Sequence, residues 1–472
     1  MGQEIEDSHF SDQDFERFFE RLREETRLLG RWLETGRIPR SDGYVGGFEM
    51  EAWLVDAQAR PLPRNRELLV RLSDPLVVPE LALFNLELNS SPLRLTGDAL
   101  SRMAGEADDT WGRCNRAAAD LGARMAMIGI LPTVAETDLT AANMSAMQRY
   151  RALDDQLSRL RDGAPVLLEI EGRERVRRQH HDVMLESATT SFQIHLKIDP
   201  DRAARFYNAA KIVSAPMVGV SANSPYLFGA DLWDETRIPL FEQSVQVGES
   251  DLTKRVSFGI KYAETILECF EANLVRYPVL LPQLMEEPPE ALAHLRLHNG
   301  TIWRWNRPLI GFDAKGEPHI RIEHRVVPAG PTVADSIANM AFYFGMACAL
   351  AGQDEAPERA LPFLQARENF YRAARRGMGA ELTWLGGRQV GLRALCREVL
   401  LPLAHQGLLG IGIDRQEAAH WLGYIRGRVE TGQNGAVWQR AWVARHGADM
   451  AALTEAYLER QESGRPVHEW RV

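Results

Sequence analysis

The 472-residue chain contains only four cysteines, Cys114, Cys269, Cys348 and Cys396, far apart and with no CxxC pair. A disulfide framework and a structural zinc site are therefore not expected, and a reducing, cytoplasmic compartment fits best. Positive charge is in deficit: 55 Lys and Arg stand against 65 Asp and Glu, a net charge of -10. That balance argues against generic nucleic-acid binding, which needs a basic surface. An anionic small substrate stays open, because local arginines decide that. The acidic, polar opening segment 1–10 lacks a basic stretch followed by an apolar run, so no secretory signal is expected. The most apolar run, 337–350, contains Asn339 and falls short of the about 20 residues a membrane span needs, which points to a buried helix. Standard signatures are missing as well. There is no GxxxxGK[ST] phosphate loop, no GxSxG elbow and no HExxH pair.

What is present is an ordinary globular composition, 45% hydrophobic and 25% charged, long enough for one large domain or two to three smaller ones. Residues 11–36 read as a helix: Ser11 or Asp12 can cap its start, Gly36 can end it, and Phe15, Phe18, Leu22, Leu29 and Trp32 recur at helical spacing. Helices are also expected over 100–129, 144–162, 200–220, most of 231–288, and 335–350. Strands are expected over 44–56, 187–199 and within 297–327, where a turn at 311–318 joins two or three of them. His180 and His181, and the cluster Arg173, Arg175, Arg177 and Arg178, read as loop. After about residue 353 no strand pattern appears and helical stretches follow one another. The expected architecture is α+β: a mainly antiparallel sheet with a polar face and with helices on its other side, then a helical C-terminal portion. The boundary falls at 353–357, which divides the chain into 1–356 and 357–472.

Four segments carry the chemistry. Phe48-Glu49-Met50-Glu51-Ala52, Leu86-Glu87-Leu88-Asn89, Phe192-Gln193-Ile194-His195-Leu196-Lys197 and Ile320-Arg321-Ile322-Glu323-His324-Arg325 alternate apolar with polar residues. Strand side chains alternate between faces, so the apolar set would meet a core and the polar set would share the other face. Glu49 and Glu51 alone describe a solvated sheet face more readily than a metal site. Glu87 and Glu323, in strands of the same design, favour the metal, since paired carboxylates repel unless a divalent cation or solvent relieves them. His195 can ligate a metal or contact phosphate. Gln193 can orient substrate or metal-bound water. Arg325 and Arg307 suit phosphoryl oxygens because a guanidinium donates two bonds at once. Arg237, after Asn223-Ser224-Pro225, is a candidate for a substrate carboxylate. Trp303 and Trp305 can wall a pocket or pack the sheet. A two-carboxylate glycosidase would leave the arginines and the histidine unexplained.

Gly46-Gly47-Phe48-Glu49-Met50-Glu51 resembles the G-x-E-x-E strand of the glutamate–cysteine ligase family, in its second bacterial type, the carboxylate–amine ligases. Glu87-Leu88-Asn89-Ser90-Ser91-Pro92 is similar to that family's second acidic strand. Ser191-Phe192-Gln193-Ile194-His195 is similar to its S-x-Q-x-H strand, and Ile322-Glu323-His324-Arg325 to its E-x-R element. The order is the same over about 44–350, and it is also similar to that of glutamine synthetase, a more distant relation by fold. The resemblance implies an ATP-dependent ligase. Mg²⁺, or Mn²⁺, would be held by Glu49, Glu51, Glu87, His195 and Glu323, with Glu49 and Arg325 at the catalytic centre. Gln193, Arg307 and Arg325 would contact nucleotide and phosphate, and Asn223 and Arg237 the substrate. The γ-carboxylate of glutamate, or another acid, would take up the γ-phosphate of ATP, and an amine such as that of cysteine would displace it. The partners implied are small molecules, with no nucleic acid and no membrane; a homo-oligomer stays open. A ligase with another acid or amine, or a metal-dependent phosphohydrolase, remains the alternative.

Overall fold

The computed structural model describes residues 4–248, 250 and 252–472. At its centre lies a sheet of eight strands. In chain order they are β1 (Val45–Val55), β2 (Val77–Pro79), β3 (Asn85–Asn89), β4 (Leu93–Arg94), β5 (Arg124–Ala126), β6 (Phe192–Ile198), β7 (Asn306–Phe312) and β8 (Pro318–His324). The path runs β7-β8-β6-β1-β3-β2, with β4 and β5 also pairing β1. Every pairing is antiparallel. The four polar-striped segments are thus adjacent strands. Their register sets Arg307 opposite Glu323, Glu323 opposite His195, Gln193 opposite Glu49, and Glu51 opposite Glu87. Directly opposed residues share a face, so register alone gathers the polar set.

The other face meets the Ala203–Ser221 and Val333–Gly352 helices, which are apolar nearly all round and buried. Contact is close. A Cβ on Gly46 would sit 2.6 Å from the Phe344 ring, so the helix needs a glycine in β1. Tyr343 stacks on the His324 ring at 4.2 Å, and Asn306 donates to Ser214 Oγ at 2.9 Å. The Val333–Gly352 helix is long and apolar enough to cross a membrane, yet 89% of its apolar window is buried against protein. Its C-terminal neighbours are Leu401–Gly410, whose Gly407 meets Gly345, and Arg415–Thr431. From the latter, Arg428 donates to Asp335 Oδ1 at 2.9 Å, with both side chains buried. One continuous apolar core includes residues on both sides of position 356.

The first helix, Asp12–Thr35, has the expected ends. Ser11 and Asp14 form a reciprocal cap, and Gly36 closes it at φ 71°. Other expectations need correction. Among the described residues of 231–288, only Arg237–Ser244 and Leu267–Arg276 are helical; much of the rest is irregular chain held by long-range side-chain bonds, such as Arg255 to the carbonyl of Thr301 at 3.0 Å. The helix expected over 100–129 ends at Ala119 and gives way to β5. Residues 297–300 belong to the Ala293–Gly300 helix, not to a strand. Arg175–His180 is a strand paired with Val166–Glu171, not a loop, and Arg175 and Arg177 flank Glu169 across it. The C-terminal portion contains a hairpin, Glu381–Trp384 with Arg388–Gly391. Helices also lie over the polar face: Gln148–Leu160 and Ala293–Gly300 supply walls to the cavity there.

Candidate active site

Above the polar face lies a cavity of about 220 Å³. Glu49, Glu51, Glu87, Gln193, Arg307, Glu323 and Arg325 line it, so seven residues anticipated from the strands converge there. Residues that periodicity did not reveal join them. Glu80 comes from the turn after β2, Glu186 from the 3₁₀ segment Val183–Ala188, Arg149 and Tyr150 from one covering helix, and Arg296 from the other. Trp303 also lines the cavity, whereas Trp305 is buried and donates to Glu242 at 2.8 Å.

The acids fall into two groups. Glu51, Glu80 and Glu87 bring one carboxylate oxygen each to within 4.8 Å of one another. Burial, then the charge of Glu80, pushes Glu51 up to about 7. Burial, then the neighbouring Glu49 carboxylate, raises Glu87 well above the ordinary range, and burial with Glu80 and Glu51 does the same to Glu186. These are the shifts of buried like charges. Glu51 is held in place by Ser191, whose N–H and hydroxyl donate at 2.6 and 2.9 Å, and by the Gln193 amide at 2.7 Å. Crowded hard oxygen donors of this kind fit a divalent cation.

The second group is Glu49, His195 and Glu323, again within 4.8 Å. His195 Nε2 lies 3.3 Å from Glu49 Oε1, is buried, and makes no hydrogen bond. Arg321 donates to His195 Nδ1 at 3.2 Å. A neutral ring then carries its proton on Nε2, so ligation through Nε2 needs the other tautomer. Glu323 is set apart by its cations. Arg307 donates to both its oxygens, at 2.8 and 2.9 Å, and Arg325 stands 3.3 Å away. Burial opposes ionisation, but Arg307 and Arg325 prevail and hold Glu323 at about 2.

Arg307 spends its other donations on the carbonyls of Asn299 and Gly300, at 3.3 and 3.1 Å. Arg325 bonds Gln193 Oε1, while its buried Nε has no partner. Arg321 and Arg296 line the same end. Acids and guanidinium groups are thus interleaved: Glu51, Glu80 and Glu87 crowd together near Arg149, while Glu49 and Glu323 stand among Arg307, Arg321 and Arg325.

Asn223 and Arg237, expected at the substrate, do not line this cavity. Both are buried. Arg237 donates to Glu235 at 3.1 Å and to the carbonyl of Val326 at 2.6 Å, and Asn223 to the Tyr457 hydroxyl at 2.8 Å. They fix the backbone that follows β8. Their polar character carried no indication of which way they point.

No curated protein matches the sequence. Among solved structures, the glutamate–cysteine ligase of Francisella tularensis in complex with AMP superposes with a TM-score of 0.57 at 11% identity, over 90% of each chain. A bifunctional glutathione synthetase from Pasteurella multocida gives 0.52 at 10% identity, over 92% of this chain and 55% of that one. These show a shared fold. The profile of glutamate-cysteine ligase family 2 matches residues 45–459, nearly the whole chain and every strand of the site. The chain belongs to glutamate–cysteine ligase family 2.

Proposed function

We propose that the protein joins the γ-carboxylate of glutamate, or of a related acid, to an amine such as that of cysteine, using ATP and passing through an acyl phosphate. The observation that carries this reading is one small cavity in which two clusters of acids are interleaved with guanidinium groups. Phosphoryl transfer asks chiefly for positioning and for neutralisation of negative charge. Arg325, with its unpartnered Nε, and Arg321 are suited to the phosphoryl oxygens. Gln193 and Glu323 fix the orientation of Arg325. Glu51, Glu80 and Glu87, and the group of Glu49, His195 and Glu323, would hold Mg²⁺ or Mn²⁺, which supplies charge neutralisation on the triphosphate. The substrate carboxylate oxygen forms a bond to the γ-phosphorus as the bond to ADP breaks. The amine then attacks the acyl carbon and phosphate leaves. Burial beside Glu80 and Glu51 keeps a proton on Glu186, so the proton the amine sheds leaves with the departing phosphate.

The test is phosphate release from ATP with Mg²⁺, with and without glutamate, against a panel of amines. Sustained release should need both co-substrates, and mass spectrometry should find the amide. Release that needs no amine would sink the ligase reading in favour of a hydrolase.

A further inference from the structure

A second cavity, of about 330 Å³, lies behind the segment that walls the first. Trp303 lines the first cavity and Arg304, the next residue, lines the second. The second cavity also receives Tyr207 and Lys211 from the Ala203–Ser221 helix, and Cys269 from the Leu267–Arg276 helix. Lys211 is 1% exposed and Arg304 5%. Buried cations are ordinarily paired with acids. Among the described residues, neither makes an ion pair. Lys211 Nζ donates to the Phe258 carbonyl and lies 4.8 Å from the centre of the Tyr207 ring. Arg304 lies over Tyr277 at 5.4 Å, and its Nη1 has no hydrogen-bond partner. The Tyr262 hydroxyl in the same lining has none either. Of the acids on the rim, Glu268 is held by Lys261 at 2.6 Å and Glu271 is exposed.

The backbone makes room for the ammonium. Gly259 has φ +92°, and a Cβ there would stand 2.7 Å from Lys211 Nζ. Two buried cations, an unused N–H and an unused hydroxyl therefore face a space walled by the rings of Tyr207, Tyr262 and Tyr277 and by Ile260, Ala263 and Ala272. Lys261, Glu268, Glu271 and Arg276 are also in its lining. We propose that this cavity binds a small carboxylate with an apolar body, its carboxylate between Lys211 and Arg304 and its body against the tyrosine rings. A monoanion fits better than phosphate, because Lys261 is already held by Glu268, and Glu268 and Glu271 in the lining oppose a second negative charge. Burial lowers Lys211 to about 7, and a bound carboxylate would hold it protonated. Val275, 82% exposed beside the opening, gives an apolar body a first contact.

The experiment is isothermal titration calorimetry of the full chain with phenylacetate, benzoate and inorganic phosphate. Phenylacetate or benzoate should bind saturably. Affinity should fall about tenfold or more in Lys211→Met, and likewise in Ala272→Phe, which fills the partly exposed rim. The Ala272 variant keeps the test decisive if the Lys211 variant does not fold. Glu186→Gln, in the first cavity, should leave binding unchanged. The inference is overturned if neither carboxylate binds, if only phosphate binds, if Ala272→Phe binds as the unaltered chain does, or if Glu186→Gln abolishes binding. None of these outcomes depends on the ligase reading of the first cavity.

Discussion

In the proposed reaction Arg325 would neutralise charge on the phosphoryl group; Gln193 and Glu323 fix it, and its buried Nε has no partner. Lysine offers a point charge without the planar fork, so Arg325→Lys should lower kcat by about 10²–10³-fold while the thermal midpoint holds. Near-normal turnover would remove Arg325 from the phosphoryl site. Glu51 makes a second residue-level prediction. Burial and Glu80 raise it to about 7 from 4.5. The folded state therefore binds the proton more tightly than the unfolded one. The stability this gives is full below about 4.5 and is lost as pH rises through 7. In chelator, the melting temperature should fall between pH 5 and 8, with Glu80→Gln making the decline shallower by roughly a few degrees. Mg²⁺ should restore more at pH 8 than at pH 5; equal restoration would show that the acids do not hold it. The strand acids were legible because a period of two is local to each strand. Glu80, Glu186 and Arg149 lie on a turn, a 3₁₀ segment and a helix, and only tertiary structure brings them to the cavity. Arg237 illustrates the converse: a polar residue near the right strands whose direction no local pattern encodes.

Elements pack here with little slack. The Val333–Gly352 and Leu401–Gly410 helices cross where a Cβ on Gly407 would lie 1.9 Å from the Gly345 carbonyl oxygen. Neither helix can retreat without opening the apolar core. Gly407→Ala should therefore cost about 1–3 kcal/mol, read by denaturant unfolding, although alanine favours helix in isolation. An unchanged midpoint would mean that the crossing is looser than this geometry requires. Helix crossings of this kind are invisible to periodicity, which is why the portion after 356 read only as successive helices. The short hairpin at 381–391 escaped for a related reason: its strands are only four residues each, too few to establish alternation. Within 231–288 the chain is irregular, and its bonds, such as Arg255 to Thr301, span distances no local window covers.

Across the whole molecule, late residues complete structure begun by early ones. Arg428 answers Asp335 and Asn339 inside the core, and Gln461 bonds the carbonyls of Met127 and Pro331. Removing the guanidinium takes the countercharge from a buried carboxylate and leaves Asp335 the Thr332 hydroxyl and the Val467 N–H. Arg428→Met should destabilise the full chain by about 3–5 kcal/mol, measured by unfolding in denaturant. A loss below about 1 kcal/mol would show that the Thr332 and Val467 donors suffice to hold Asp335. Tyr457 extends the same dependence, donating to the carbonyl of Met127 and accepting from Asn223. During synthesis, every strand of the cavity has been made by residue 325, more than a hundred residues before these partners exist. The nascent protein thus carries an acid-rich, half-supported sheet until the segments that hold Arg428, Tyr457 and Gln461 are made, and its exposure to chaperones and proteases is set by how quickly those helices arrive.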